Sequence, residues 1–96
     1  PAKVKGIYEN LLADLNLKAS EVPLLAGELV SAGEKGACAG MNKIIADLPK
    51  AIPTAHVISS EGCKGLPDHL HFSPEGYREL GRRYAAAMLP LLGVRQ

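Results

Sequence analysis

Three side chains that can carry chemistry, Asp68, His69 and His71, fall within one short polar stretch that runs through Phe72 into Ser73-Pro74-Glu75. An aspartate three residues before a histidine can accept the imidazole Nδ1–H, fix its tautomer and stabilise the imidazolium, leaving Nε2 to act as a base. That spacing is common by chance. Its setting is less so, because the stretch follows an apolar, strand-like run and stands just ahead of a helix start. In an α/β sheet, functional groups gather beyond the carboxyl ends of the strands, and the loop from Glu61 to Pro67 leaves such an end.

Other candidates weigh less. His69 and His71 form a His-x-His pair of the kind seen in zinc sites, but no further ligand is spaced nearby. Neither a metal nor any other cofactor is therefore expected. Cys63 shares the loop, and a thiol nucleophile is conceivable there, although nucleophile and base in one short loop would be poorly preorganised. His56 lies inside an apolar run and reads as a satisfied histidine near a strand edge. Glu28, at the end of another such run, fits a contact to substrate or neighbouring loops and a solvated carboxylate equally well. Ser20, Ser31, Ser59, Ser60 and Ser73 stand in loops, at a strand end or at a helix cap. None of these is a nucleophile's setting.

The elements that would position the pair can be read in order. Val4, Ile7, Tyr8, Leu11, Leu12 and Leu15 make the stripe of an amphipathic helix, with Lys5, Glu9, Asn10 and Asp14 facing away. Asn16 and the residues to Glu21 end it. Val22 to Leu29 is short and nearly all apolar, as a strand buried on both faces would be. A polar loop from Ser31 to Gly36 leads to a second helix with the stripe Ala37, Met41, Ile44, Ile45 and Leu48, stopped by Pro49. Pro53 to Ser60 reads as a second strand. Ser73, Pro74 and Glu75 then give an N-cap, a first-turn proline and an acid at the positive end of the dipole. The last helix is expected to bury Tyr77, Leu80, Tyr84, Met88 and Leu91, with Gly81 and Ala85 allowing close packing. Glu75, Arg78, Glu79, Arg82 and Arg83 form its wet side, and Pro90 kinks or ends it before Gly93.

Ninety-six residues, 47% apolar and 22% charged, make one globular core or part of one. A net charge of +1 with scattered lysines and arginines gives no reason to expect nucleic acid. No run approaches a membrane span, and no signal peptide opens the chain. Cys38 and Cys63 match neither a disulfide framework nor a metal spacing and read as idle thiols. The chain opens on Pro1-Ala2-Lys3 without an initiator methionine, as a processed or excised polypeptide would, so no compartment is assigned.

Strands separated by helices predict an α/β fold with parallel pairing. Two strands make a poor sheet, however, and a buried parallel sheet carries several. Residues 1–96 are therefore expected to be the C-terminal part of a larger α/β domain, with weak stability on their own.

Asp68-His69-Leu70-His71-Phe72-Ser73, followed by Gly76-Tyr77, Leu80-Gly81 and Arg83-Tyr84-Ala85, resembles the last conserved block of the SGNH hydrolases. The nearest branch is the carbohydrate esterases that include acetylxylan esterases and sialate O-acetylesterases. Val22-Pro23 through Gly27-Glu28-Leu29 is similar to the strand entering that family's final third. Asn42 and Leu48-Pro49 through Ser59-Ser60 are similar to its next helix and strand. The resemblance implies a flavodoxin-like three-layer α/β/α sandwich with a mostly parallel sheet. It implies a serine esterase acting on acetylated carbohydrate, with Asp68 and His71 as acid and base of a Ser-His-Asp triad. The family's Gly-Asp-Ser or Gly-Gln-Ser turn is not in this chain, nor are its oxyanion-hole blocks. The expected partner is thus an N-terminal segment or chain bearing the serine, and these residues alone are expected to be inactive. The alternative is a non-catalytic binding or assembly module derived from a hydrolase, using open sheet edges.

Overall fold

A computed structural model describes residues 1–93. Its elements are α1 (Ala2–Leu15), β1 (Leu24–Gly27), α2 (Asn42–Ala46), α3 (Leu48–Ala51), β2 (Ala55–Ile58) and α4 (Pro74–Leu91), with short 3₁₀ turns between them. The two strands pair in parallel, Leu24 opposite Ala55 through Gly27 opposite Ile58. The chain is thus α/β, a mixed helix and strand fold around a two-stranded parallel sheet.

α1 ends as expected. Asn16 adopts the left-handed conformation (φ 54°), its N–H returns to the Ala13 carbonyl at 3.2 Å, and that of Leu17 returns to Leu12 at 2.8 Å. These two bonds satisfy carbonyls that the helix end would otherwise leave unpaired. Tyr8 is the buried residue of α1, packing with Leu48, Ile52 and Ala55, and Leu12 packs beside it. Its hydroxyl donates to the Val22 carbonyl, leaving a lone pair for Thr54 Oγ1 at 3.1 Å. One side chain so joins α1 to the entries of both strands.

Side chains alternate along β1 and divide the packing. Leu24 and Ala26 join the Tyr8 cluster under α1 and α3. On the other face, the Tyr84 ring of α4 occupies the space a Gly27 side chain would need. A second cluster, Val30, Cys63 and Phe72 with Leu80 against it, lies beyond the strand ends. It is the base on which the Asp68 and His71 loop rests.

Several expectations are corrected. Pro49 does not stop the second helix: that segment is a 3₁₀ turn (Ala39–Met41), then α2, then α3. Pro49 stands in the first turn of α3, where its missing N–H has no partner to lose. The strands are shorter than the apolar runs, and β1 is half-buried throughout rather than buried on both faces. In α4, Tyr77 is 51% exposed and meets Phe72 edge-on with ring centres 5.4 Å apart. Gly81 is exposed with nothing within 4 Å of where its Cβ would stand, and Ala85 is exposed as well. α4 takes in Pro90 and ends one residue later at Leu91, before Gly93 as expected. The stripe of α1 is mostly open, with Ile7 71% exposed and Val4, Leu11 and Leu15 also exposed.

That openness has a measure. The accessible surface is 6455 Å², against roughly 5,300 Å² for a compact chain of 10.1 kDa. The radius of gyration, 14.5 Å, likewise exceeds the ~12.5 Å of a compact domain of this length.

Candidate active site

Asp68 and His71 sit on a small hairpin between β2 and α4. Gly65 and Phe72 form an antiparallel bridge, the Leu66 N–H donates to the His71 carbonyl at 2.8 Å, and the Ser73 N–H donates to Lys64 at 2.9 Å. Across the tip, His69 N–H returns to Leu66 at 3.0 Å, a β-turn with Pro67 at its second position, where the fixed φ of proline suits it. His69 then takes φ 62°, a left-handed conformation that turns the chain back.

Within that loop the Asp68 carboxylate is used on both oxygens. Oδ1 accepts the N–H groups of Leu70 at 2.9 Å and His71 at 3.0 Å. Oδ2 lies 2.6 Å from His71 Nδ1. The backbone bonds aim the carboxylate, and the short side-chain bond sets the imidazole. The His71 bond first, then the two amides, holds the Asp68 carboxyl well below its ordinary value of 3.8. With Nδ1 engaged, Nε2 has no partner among the described residues, and His71 is 64% exposed. The carboxylate orients the imidazole, and the His71 side chain stands largely in solvent.

The strand exits below the hairpin are tied to one another and to α2 and α4 by polar side chains. Ser60, fully buried, donates its hydroxyl to the Leu29 carbonyl at 2.6 Å and its N–H to Glu28 Oε1 at 2.9 Å. Glu28 is thus a tie between strand ends. Asn42 both accepts from the Leu29 N–H (2.8 Å) and donates to its carbonyl (3.1 Å). Arg83 Nη1 donates to the Ser59 carbonyl at 2.8 Å. Asn42 and Arg83 carried no local signal for these bonds, because both partners are backbone groups distant in sequence.

The remaining candidates fall elsewhere. Cys63 is buried against Val30 and Phe72. Ser73 caps α4, its hydroxyl accepting the Gly76 N–H at 3.0 Å. Ser59 Oγ accepts the Glu61 N–H at 3.1 Å. Among the described residues, no three His, Cys, Asp or Glu side chains are grouped to hold a metal ion. No helix among them is long and apolar enough to cross a membrane.

The α/β chain thus presents an aspartate-steadied imidazole beyond the ends of its parallel strands. The chain belongs to the carbohydrate esterase family of sialic acid-specific acetylesterases, whose family model matches residues 1–90. No solved structure matches it.

Proposed function

We propose that this chain supplies the acid and base of a Ser-His-Asp triad in a carbohydrate O-acetylesterase of SGNH type, with Asp68 as acid and His71 as base. The observation that carries the reading is the 2.6 Å bond from His71 Nδ1 to an Asp68 carboxylate whose other oxygen is fixed by two backbone amides. Such a carboxylate stays ionised and pins the tautomer that leaves Nε2 unprotonated.

The reaction would run through an acyl-enzyme. His71 Nε2 takes the proton of a serine hydroxyl as its oxygen attacks the acetyl carbonyl, then returns that proton to the sugar oxygen as the ester bond breaks. Water, deprotonated by the same nitrogen, releases acetate. The serine and the oxyanion donors would come from a segment outside these residues. The larger sheet of a three-layer α/β/α sandwich would be completed by the same segment, covering part of the open surface on α1. Substrates would be O-acetylated sugars of the sialate or xylan kind.

The test is acetate release from an O-acetylated sugar by a longer polypeptide that joins residues 1–96 to a serine-bearing segment. His71→Ala is expected to remove activity, and Asp68→Asn to lower kcat by about 10⁴-fold. Activity that survived His71→Ala would refute the assignment.

A further inference from the structure

The Asp68 and His71 hairpin is short and mostly solvent-exposed, so something must keep its two side chains in register. The candidate is the turn after β1. Glu34 Oε1 accepts the Gly65 N–H at 3.2 Å, at the foot of the hairpin beside the Gly65–Phe72 bridge. The Ala37 N–H donates to the His69 carbonyl at 2.8 Å, at its tip. The two grips hold the hairpin at its foot, below His71, and at its tip, next to Asp68.

The gripping turn is itself fixed to the sheet. The Ser31 carbonyl accepts the N–H groups of Glu34 at 3.1 Å and Gly36 at 2.9 Å, and Ser31 is buried. Gly36 lies directly on the Val30 carbonyl, with no room for a side chain. Lys35, at φ 59°, makes the reversal between them. Gly65 completes the fit: a Cβ there would stand 3.0 Å from Val30 Cγ1 and 3.9 Å from Glu34 Cβ. The hairpin is pressed onto the turn as well as bonded to it.

We propose that Glu34 is a positioning residue for the Asp68–His71 pair, acting through the Gly65 amide to hold the hairpin against the Ser31–Ala37 turn. Its catalytic consequence rests on the triad reading above; the geometric claim does not. Other charged groups on these elements are Lys35, Glu61 and Lys64, and Lys64 is engaged with Glu75 at 3.4 Å.

The test uses the chain itself, following the Asp68 carboxyl carbon and the His71 ring nitrogens by NMR across an acid titration. In Glu34→Ala the Asp68 midpoint is expected to rise towards the ordinary 3.8 as the bonds that depress it loosen, and His71 to lose its single tautomer. Glu34→Gln keeps an acceptor oxygen and is expected to restore both. The direction separates positioning from charge. Removing a nearby negative charge by itself would ease ionisation and move the Asp68 midpoint down, so a fall, or no change, in Glu34→Ala overturns the proposal. Amide exchange in the unsubstituted chain gives a second check. Gly65 and Ala37 are expected to be protected, and exchange at free-loop rates would also overturn it, whatever becomes of the Glu34→Ala fold. In the longer esterase, Glu34→Ala is expected to lower kcat roughly ten- to a hundredfold with KM unchanged. If that drop is absent while the NMR changes appear, the triad reading fails and the positioning stands.

Discussion

Gly76 lies against the carbonyl of Lys64 so closely that even a methyl group would collide with it. The contact sets the first turn of α4 on the foot of the hairpin, where the Ser73 N–H already bonds the same carbonyl. A helix start and a candidate active-site loop are thereby one joint.

Opposite signs are expected for two glycine substitutions in α4. Alanine in a helix interior ordinarily gains about 1 kcal/mol over glycine. Gly81 has open space where its Cβ would stand, so Gly81→Ala should stabilise by about that amount. Gly76→Ala should destabilise, because the backbone of Lys64 has to move. Denaturant melts of the two variants, compared with the unsubstituted chain, check the pair together.

Asn42→Ala removes both Asn42 bonds to Leu29, whose carbonyl keeps the Ser60 hydroxyl. A loss of about 1–2 kcal/mol is expected, for two bonds of ordinary net worth. Asn42→Asp keeps the acceptor for the Leu29 N–H but sets an oxygen against the Leu29 carbonyl, and should recover little. Chemical denaturation measures both.

Ser73→Ala takes away the cap on α4 and should cost about 1 kcal/mol, while Ser73→Asp, another good cap, should be close to neutral. Melting temperatures distinguish the two.

The Asp68 carboxyl is depressed in the folded chain, first by its bond to His71. A depressed carboxylate contributes stability that is fully present above its unfolded value and is lost as pH falls through the folded one. The stability difference between the chain and Asp68→Asn should therefore hold at neutral pH. It should begin to shrink below about 3.8 and vanish only in stronger acid. A difference independent of pH across that range would contradict the bonding described.

His69 should matter for its backbone rather than its ring. At φ 62°, His69→Gly or His69→Asn should keep the Asp68–His71 bond, whereas His69→Val, β-branched in a left-handed conformation, should disrupt it. The His71 ring-nitrogen spectrum reads this directly.

The start of α4, the end of α1 and the α/β order were legible because they depend on local chemistry. Ser73, Pro74 and Asn16 act within a turn of themselves. The pairing of Asp68 with His71 was legible for the same reason, being a contact across three residues. Pro49 was misread because proline ends one helix and begins another with equal ease, and only the break at Asp47 decides between them. The exposure of Tyr77 and of the α1 stripe could not be read from periodicity. An amphipathic pattern marks a face suited to burial, and here most of that face is uncovered. The bonds of Glu34, Asn42 and Arg83 were not legible because each acts on the backbone of a residue far along the chain, which no spacing rule records.

The hairpin meets its surroundings largely through main-chain atoms: the Lys64 and His69 carbonyls, and the Gly65 amide. Leu66, His69 and Leu70 project from it without holding it, and Leu66 and Leu70 are exposed. Leu66 and Leu70 are therefore free to drift while the Asp68–His71 bond stays intact, and His69 is free only among residues that tolerate its left-handed φ. A loop built this way can change what it touches without changing what it does, which leaves room for selection to act on recognition separately from the chemistry.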